Sequence, residues 1–156
     1  MAEGATPEER LGSMGLAVPE VVPPVAAYVP AARTGAYVYT AGQVPLRDGS
    51  LIHAGKVGAD VTPEHATECA RQCALNAIGA LRAELGELSR VVRIVKAVVF
   101  IASAPDFTGQ PAVANGASEL LGEAFGDAGR HARSAVGVAV LPLDAPVEVE
   151  LIAEVS

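Results

Sequence analysis

The sequence has no tryptophan, and only three tyrosines and three phenylalanines. Such a chain lacks the aromatic platforms on which single-stranded nucleic acid stacks. It has no basic excess either: 11 Lys and Arg stand against 18 Asp and Glu, a formal net charge of −7. Proteins that hold nucleic acid through its phosphates carry a basic face, so no nucleic-acid partner is expected. One local arginine can still hold a small carboxylate in an acidic protein. Cysteine is scarce, with only Cys69 and Cys73. Their spacing puts both on one side of a helix, where disulfide geometry is not supplied. A disulfide scaffold is excluded, and a reducing compartment fits. No apolar run is long enough to span a membrane; the longest, near Val95 to Ala102, is of strand length and includes Lys96. Met1 to Arg10 is polar and acidic, without the basic start or apolar stretch of a signal peptide. The expectation is a cytoplasmic protein with no membrane partner.

What is present is a 156-residue chain that is 51% hydrophobic, enough for one domain with its own core. Residues 1–35 are rich in Pro, Glu, Gly and Ala, and Pro19, Pro23, Pro24 and Pro30 favour an extended segment over a helix. Val21-Val22 and Val25 to Val29 read as edge-strand pieces within it. The folded domain is expected over 36–156. Tyr37 to Ala41 reads as a strand, and Asp48-Gly49, between Leu46 and Leu51-Ile52, as the turn of a short hairpin.

Thr62 and Pro63 then mark a helix start. Ala66, Ala70, Cys73, Ala77 and Leu81 form one apolar stripe, with Glu64, Glu68, Arg71 and Gln72 mostly outside it, and Gly86 is the stop. Val91 to Ile101 reads as a largely buried strand, Pro111 to Phe125 as a second helix, Gly126 to His131 as a loop, and Arg133 to Leu141 as a strand. Val147 to Val155 alternates apolar and polar residues, the cleanest strand pattern in the chain. The order β-β-(β)-α-β-α-β-β predicts an α+β layer, with two helices on one face of a mixed sheet. The strands carry too much Val and Ile to leave the other face wet, and another subunit would cover it.

Four segments, in order, resemble the RidA/YjgF family: Tyr39-Thr40-Ala41-Gly42-Gln43-Val44-Pro45, Val95 to Phe100, Ala132-Arg133-Ser134, and Leu141-Pro142 with Val147 to Glu150. The likeness runs from about Tyr28 to the C-terminus. It implies a chorismate-mutase-like single domain, assembled as a homotrimer around a barrel-like core with sites in the clefts between subunits. It implies hydrolytic deamination of enamine and imine intermediates, such as 2-iminopropanoate and 2-iminobutanoate, to 2-keto acids and ammonia, with no metal or organic cofactor. Arg10-Leu11-Gly12, Gly15-Leu16 and Val18-Pro19 resemble a subgroup long described as endoribonucleases, which fits poorly with the acidic charge.

By this resemblance Arg133 is the substrate anchor, a planar fork that holds a carboxylate at two points and aims the C=N carbon at water. An ordinary salt bridge would also account for an arginine there. Glu148 matches the site glutamate that activates water or protonates the leaving nitrogen; a solvated strand face with Glu150 and Glu154 is the plainer reading. Tyr28 corresponds to a pocket tyrosine, Gly42 to a position of close backbone approach to substrate, and Asn115 to a helix asparagine, one residue out of register with Arg133. The family's pocket serine is Ala41 here, and a position often cysteine is Ala135. Both changes imply a more apolar pocket and keep open a trimer that binds a small carboxylate without turnover. His65, Cys69 and Cys73 share helical spacing of four, but the stripe places the cysteines in the core, so no metal is expected. Ser134 beside His131 is adjacency and not a triad.

Overall fold

The computed structural model describes residues 4–21 and 26–156. Five strands form one mixed sheet: β1 (Ala31–Thr34), β2 (Tyr37–Thr40), β5 (Val91–Ala102), β6 (Ala132–Val138) and β7 (Val147–Val155), in the order β1-β2-β7-β5-β6. Only β5 and β6 pair in parallel; the other neighbours are antiparallel. The hairpin β3 (Leu46–Arg47) and β4 (Ser50–Leu51) stands apart, turned by Asp48 and Gly49 at positive φ.

Helices α2 (Pro63–Leu85) and α3 (Gln110–Phe125) cover one face of the sheet, as the sequence pattern predicts. Helix α2 begins where Thr62 accepts a hydrogen bond from the His65 amide at 3.2 Å, and ends at Gly86. Its stripe of Ala66, Ala70, Cys73, Ala77 and Leu81 is fully buried against Val99, Ile101, Val149 and Leu151 of the sheet. Each large apolar side chain so placed contributes about 1.5–3 kcal/mol. Helix α3 passes so close to α2 that a Cβ on Gly116 would sit 2.1 Å from the Thr67 carbonyl oxygen. Among the described residues no helix is long and apolar enough to cross a membrane.

Four expectations need correction. The opening segment is not extended throughout: Pro7–Ser13 forms helix α1. A reciprocal cap drives it, with the Glu9 amide donating to Thr6 and the Thr6 amide to the Glu9 carboxylate at 2.8 Å. Leu11 of α1 is buried in the core. The edge-strand pieces are also absent where they can be checked: residues 26–28 bend, and the sheet starts at Ala31; Val22 and Val25 lie outside the described residues. Gln72 is buried, not on a solvated flank. It accepts from Arg47 and donates to Asn76, whose amide caps the Val44 and Leu46 carbonyls, so this polar cluster pins the hairpin to α2. Strand β6 stops at Val138, because Pro142–Asp144 turns the chain, with Leu143 and Asp144 at positive φ.

Candidate functional site

Register decides where the site residues point. Ala97 of β5 lies opposite both Arg133 of β6 and Leu151 of β7, and Ala97 and Leu151 are buried under the helices. Opposite residues share a face, so Arg133 projects toward α3. There its Nη1 donates to Asn115 Oδ1 at 2.8 Å and to Ser118 Oγ at 3.2 Å. Asn115 and Ser118 are three residues apart on α3, which places them on one side of that helix. The one-residue register offset does not keep Asn115 from Arg133.

Ser118 Oγ is 2.9 Å from His131 Nε2, and His131 Nδ1 is 2.6 Å from the Gly129 carbonyl oxygen. These groups and the exposed Arg130 line a shallow cleft of ≈ 340 Å³ together with Gly122. Among the described residues no carboxylate lines it. The described ion pairs join glutamates to Arg47, His53, Arg71 and Arg82, and none includes Arg133. Ala135, two residues on, packs against the core. Sequence reading missed Ser118 and the role of His131. The available signal was the spacing of Asn115 and Ser118 on the helix that precedes β6.

Glu148 lies on the other side of the sheet. It stands opposite Phe100, and the alternation of β7 turns it away from the helices. Burial first, and then the Glu150 charge, pushes its carboxyl above the ordinary carboxylate value. Gly42 belongs with it. Gln43 and Val149 exchange backbone hydrogen bonds at 2.8 and 2.9 Å, and a Cβ on Gly42 would lie 2.7 Å from Glu148 Cδ. A side chain there would displace the Glu148 carboxyl. Tyr28 is exposed, two residues before Pro30, whose carbonyl accepts from the Ala41 amide at 2.8 Å. The expected residues thus fall into two groups within one chain: Arg133 with Asn115, and Glu148 with Gly42, with Tyr28 on the stretch that enters beside Ala41.

The two thiols are set aside by burial. It pushes Cys69 up to about 12, with help from Glu68, and also raises Cys73 well above the ordinary thiol value, so both stay protonated. His65 stacks on His53, with ring centroids 4.1 Å apart, and does not join the cysteines. Among the described residues no three His, Cys, Asp or Glu gather as metal ligands.

Residues 8–155 match the family model described as "YjgF/chorismate mutase-like, putative endoribonuclease". The chain belongs to that family. This YjgF-family chain is 42% identical over 148 residues to Protein TCP17 of Trypanosoma cruzi, across 94% of this chain and 92% of that protein. A solved structure from Shewanella oneidensis MR-1, named a putative endoribonuclease, is 38% identical with a TM-score of 0.94, covering 97% of this chain and 100% of that one. Escherichia coli TdcF, solved with bound serine, is 26% identical with a TM-score of 0.62, covering 86% and 92%. The α+β, chorismate-mutase-like fold of the family is therefore the fold of this chain.

Proposed function

We propose that this YjgF-family chain hydrolyses 2-imino acids to 2-keto acids and ammonia, as a homotrimer with sites between subunits. One observation carries the reading: a guanidinium held by neutral side chains in a cleft where, among the described residues, no carboxylate meets it. Both Nη1 hydrogens are engaged by α3, which leaves the Nε and Nη2 edge for a two-point contact with a carboxylate. TdcF supports the ligand class, since the serine bound to it carries a carboxylate of the same kind.

In the reaction Arg133 fixes the substrate carboxylate and so orients the C=N carbon. Water adds to that carbon while its proton passes to a general base and the imine nitrogen takes a proton. The carbinolamine hydroxyl then gives up its proton as the amine takes one, the carbon–nitrogen bond breaks, ammonia leaves, and the 2-keto acid remains. Glu148 suits both proton transfers, because burial brings its carboxyl closer to neutral pH. Arg133 and Glu148 lie on opposite faces of one sheet. A working pair therefore combines Arg133 of one copy with Glu148 of another. The open sheet face, with Tyr37, Tyr39, Val92 and Val136 exposed, is the surface such copies would share.

The test is ammonia release from 2-iminopropanoate made in situ by an amino-acid oxidase. Wild type should accelerate it and Arg133→Ala should not; equal rates would remove the reading. Ala41 and Ala135 favour a second reading, in which the same assembly binds a small carboxylate without turnover. Calorimetry showing keto-acid binding without catalysis would select it. RNA cleavage, suggested by the name of the Shewanella relative, has the net charge of −7 against it. Cleavage that disappears with Arg133→Ala would revive it.

A further inference from the structure

We infer that Ser118 and His131 are positioning residues that hold the Arg133 guanidinium in place for its ligand. The inference rests on the reading above, in which Arg133 grips the carboxylate of a 2-imino or 2-keto acid. With the His131 ring neutral, the hydrogen-bond chain has one consistent direction. The Gly129 carbonyl can only accept, so His131 Nδ1 is the donor across 2.6 Å. In the neutral ring Nε2 then carries the lone pair and accepts the Ser118 hydroxyl across 2.9 Å. With its hydrogen committed to His131, the Ser118 oxygen turns its lone pairs to Arg133, which donates across 3.2 Å. Asn115 takes the other Nη1 hydrogen at 2.8 Å.

The relay ends at a backbone carbonyl in the turn Gly126–Gly129, which joins α3 to β6. Both walls of the cleft are therefore tied to one guanidinium edge. Arginine has many rotamers to lose on binding; fixing Nη1 beforehand leaves Nε and Nη2 presented as a fork. Without His131 the Ser118 hydroxyl is free to turn its hydrogen toward the guanidinium, where two donors oppose each other. Neither residue touches substrate in this scheme. Both act through Arg133.

Steady-state deamination of 2-iminopropanoate and calorimetry with pyruvate test this on the full chain. With Arg133 still present, a loosened guanidinium engages the carboxylate less often but, once engaged, still orients the C=N carbon, so KM rises and kcat holds. His131→Leu and Ser118→Ala should each raise KM and the pyruvate Kd about tenfold, with kcat within about twofold. His131→Gln, whose amide oxygen can stand where Nε2 stood, should recover most of that loss. The double variant should be no worse than Ser118→Ala alone, because the two act in series. Unchanged KM and Kd in Ser118→Ala, or additive losses in the double variant, would overturn the relay. Should His131→Leu fail to fold, Ser118→Ala and His131→Gln decide the matter. Unchanged binding in Arg133→Ala would instead sink the underlying reading and leave nothing for a relay to position.

Discussion

The two faces of the sheet differ in who completes them. On the helix side, Val99, Ile101, Val149 and Leu151 are covered by the chain's own α2 and α3. Arg133 on that side finds its partners, Asn115 and Ser118, within the same chain. On the open side, Tyr37, Tyr39, Val92 and Val136 stay exposed. The Glu148 carboxylate there has no hydrogen-bond partner among the described residues, and it is pushed up by burial and by a like charge. One half of the proposed site is self-supporting, while the other is an unfinished surface. Neighbouring residues of β7 make the sharpest test of this difference. Leu151 is 1% exposed under the helices, while Ile152 lies between Tyr39 and Lys96 on the open face. Leu151→Asn should unfold the chain, since it removes core packing and buries an amide without a partner, a loss of about 3–5 kcal/mol. Ile152→Asn should leave far-ultraviolet circular dichroism intact and lower the mass in light scattering toward one protomer. Equal damage from both would erase the distinction between the faces.

The next largest effect concerns chemistry. Arg133→Ala should lower turnover by about 100-fold or more through loss of orientation, and Glu148→Gln by about 10²–10⁴-fold through loss of proton transfer. The two variants should rescue each other. If each site takes Arg133 from one copy and Glu148 from another, a 1:1 co-assembly of the variants should restore roughly a quarter of wild-type activity, from the share of sites that draw both intact residues. A mixture as inactive as its parents would mean that the two residues do not meet across copies. Gly42→Ala is a milder probe of the open side. The added methyl would lie 2.7 Å from Glu148 Cδ, so the carboxyl must move. We expect a loss of about tenfold in kcat with little change in melting temperature, measured beside wild type in the same ammonia assay.

How much of this was legible in the sequence follows the same division. Helix α2 was, because Thr62, Pro63, the stripe from Ala66 to Leu81 and Gly86 all act within one element. Strand β7 was too, because a period of two survives any tertiary context. Helix α1 was hidden by attention to the prolines of its segment, although Thr6 and Glu9 spell the cap that forms it. Gly116 is a poor helix former by residue type, yet it sits where α2 passes within contact of α3. Arg133 and Asn115 were readable only through family resemblance. That they lie on the face opposite Glu148 was not, since it depends on the register of β5 against β6 and β7, which no local pattern encodes. Ser118 and His131 escaped for the related reason that their contact needs the turn Gly126–Gly129 to bring β6 back alongside α3.

The smallest expected effect is the most direct report on what faces Glu148. Its carboxyl is raised above the ordinary value by burial and then by Glu150. Between the ordinary value and the raised one, the folded protein binds more protons than the unfolded chain, so stability falls as pH rises through that window. Ionised Glu148 is therefore a burden at neutral pH and none in acid. Because the group is only half-buried, solvent screening keeps the effect small. In the Ile152→Asn background, where copies should stay apart, Glu148→Gln should melt about 1–2 °C higher at pH 7, with the gap closing toward about pH 4. In the assembled protein the outcome depends on the neighbour. A cation from another copy set against Glu148 would lower its pKa and reverse the sign, so that Glu148→Gln melts lower at neutral pH. The same sign in both backgrounds would mean that assembly brings no positive charge to this carboxylate, and Glu148 would then meet its ligand with its proton affinity set by one chain alone.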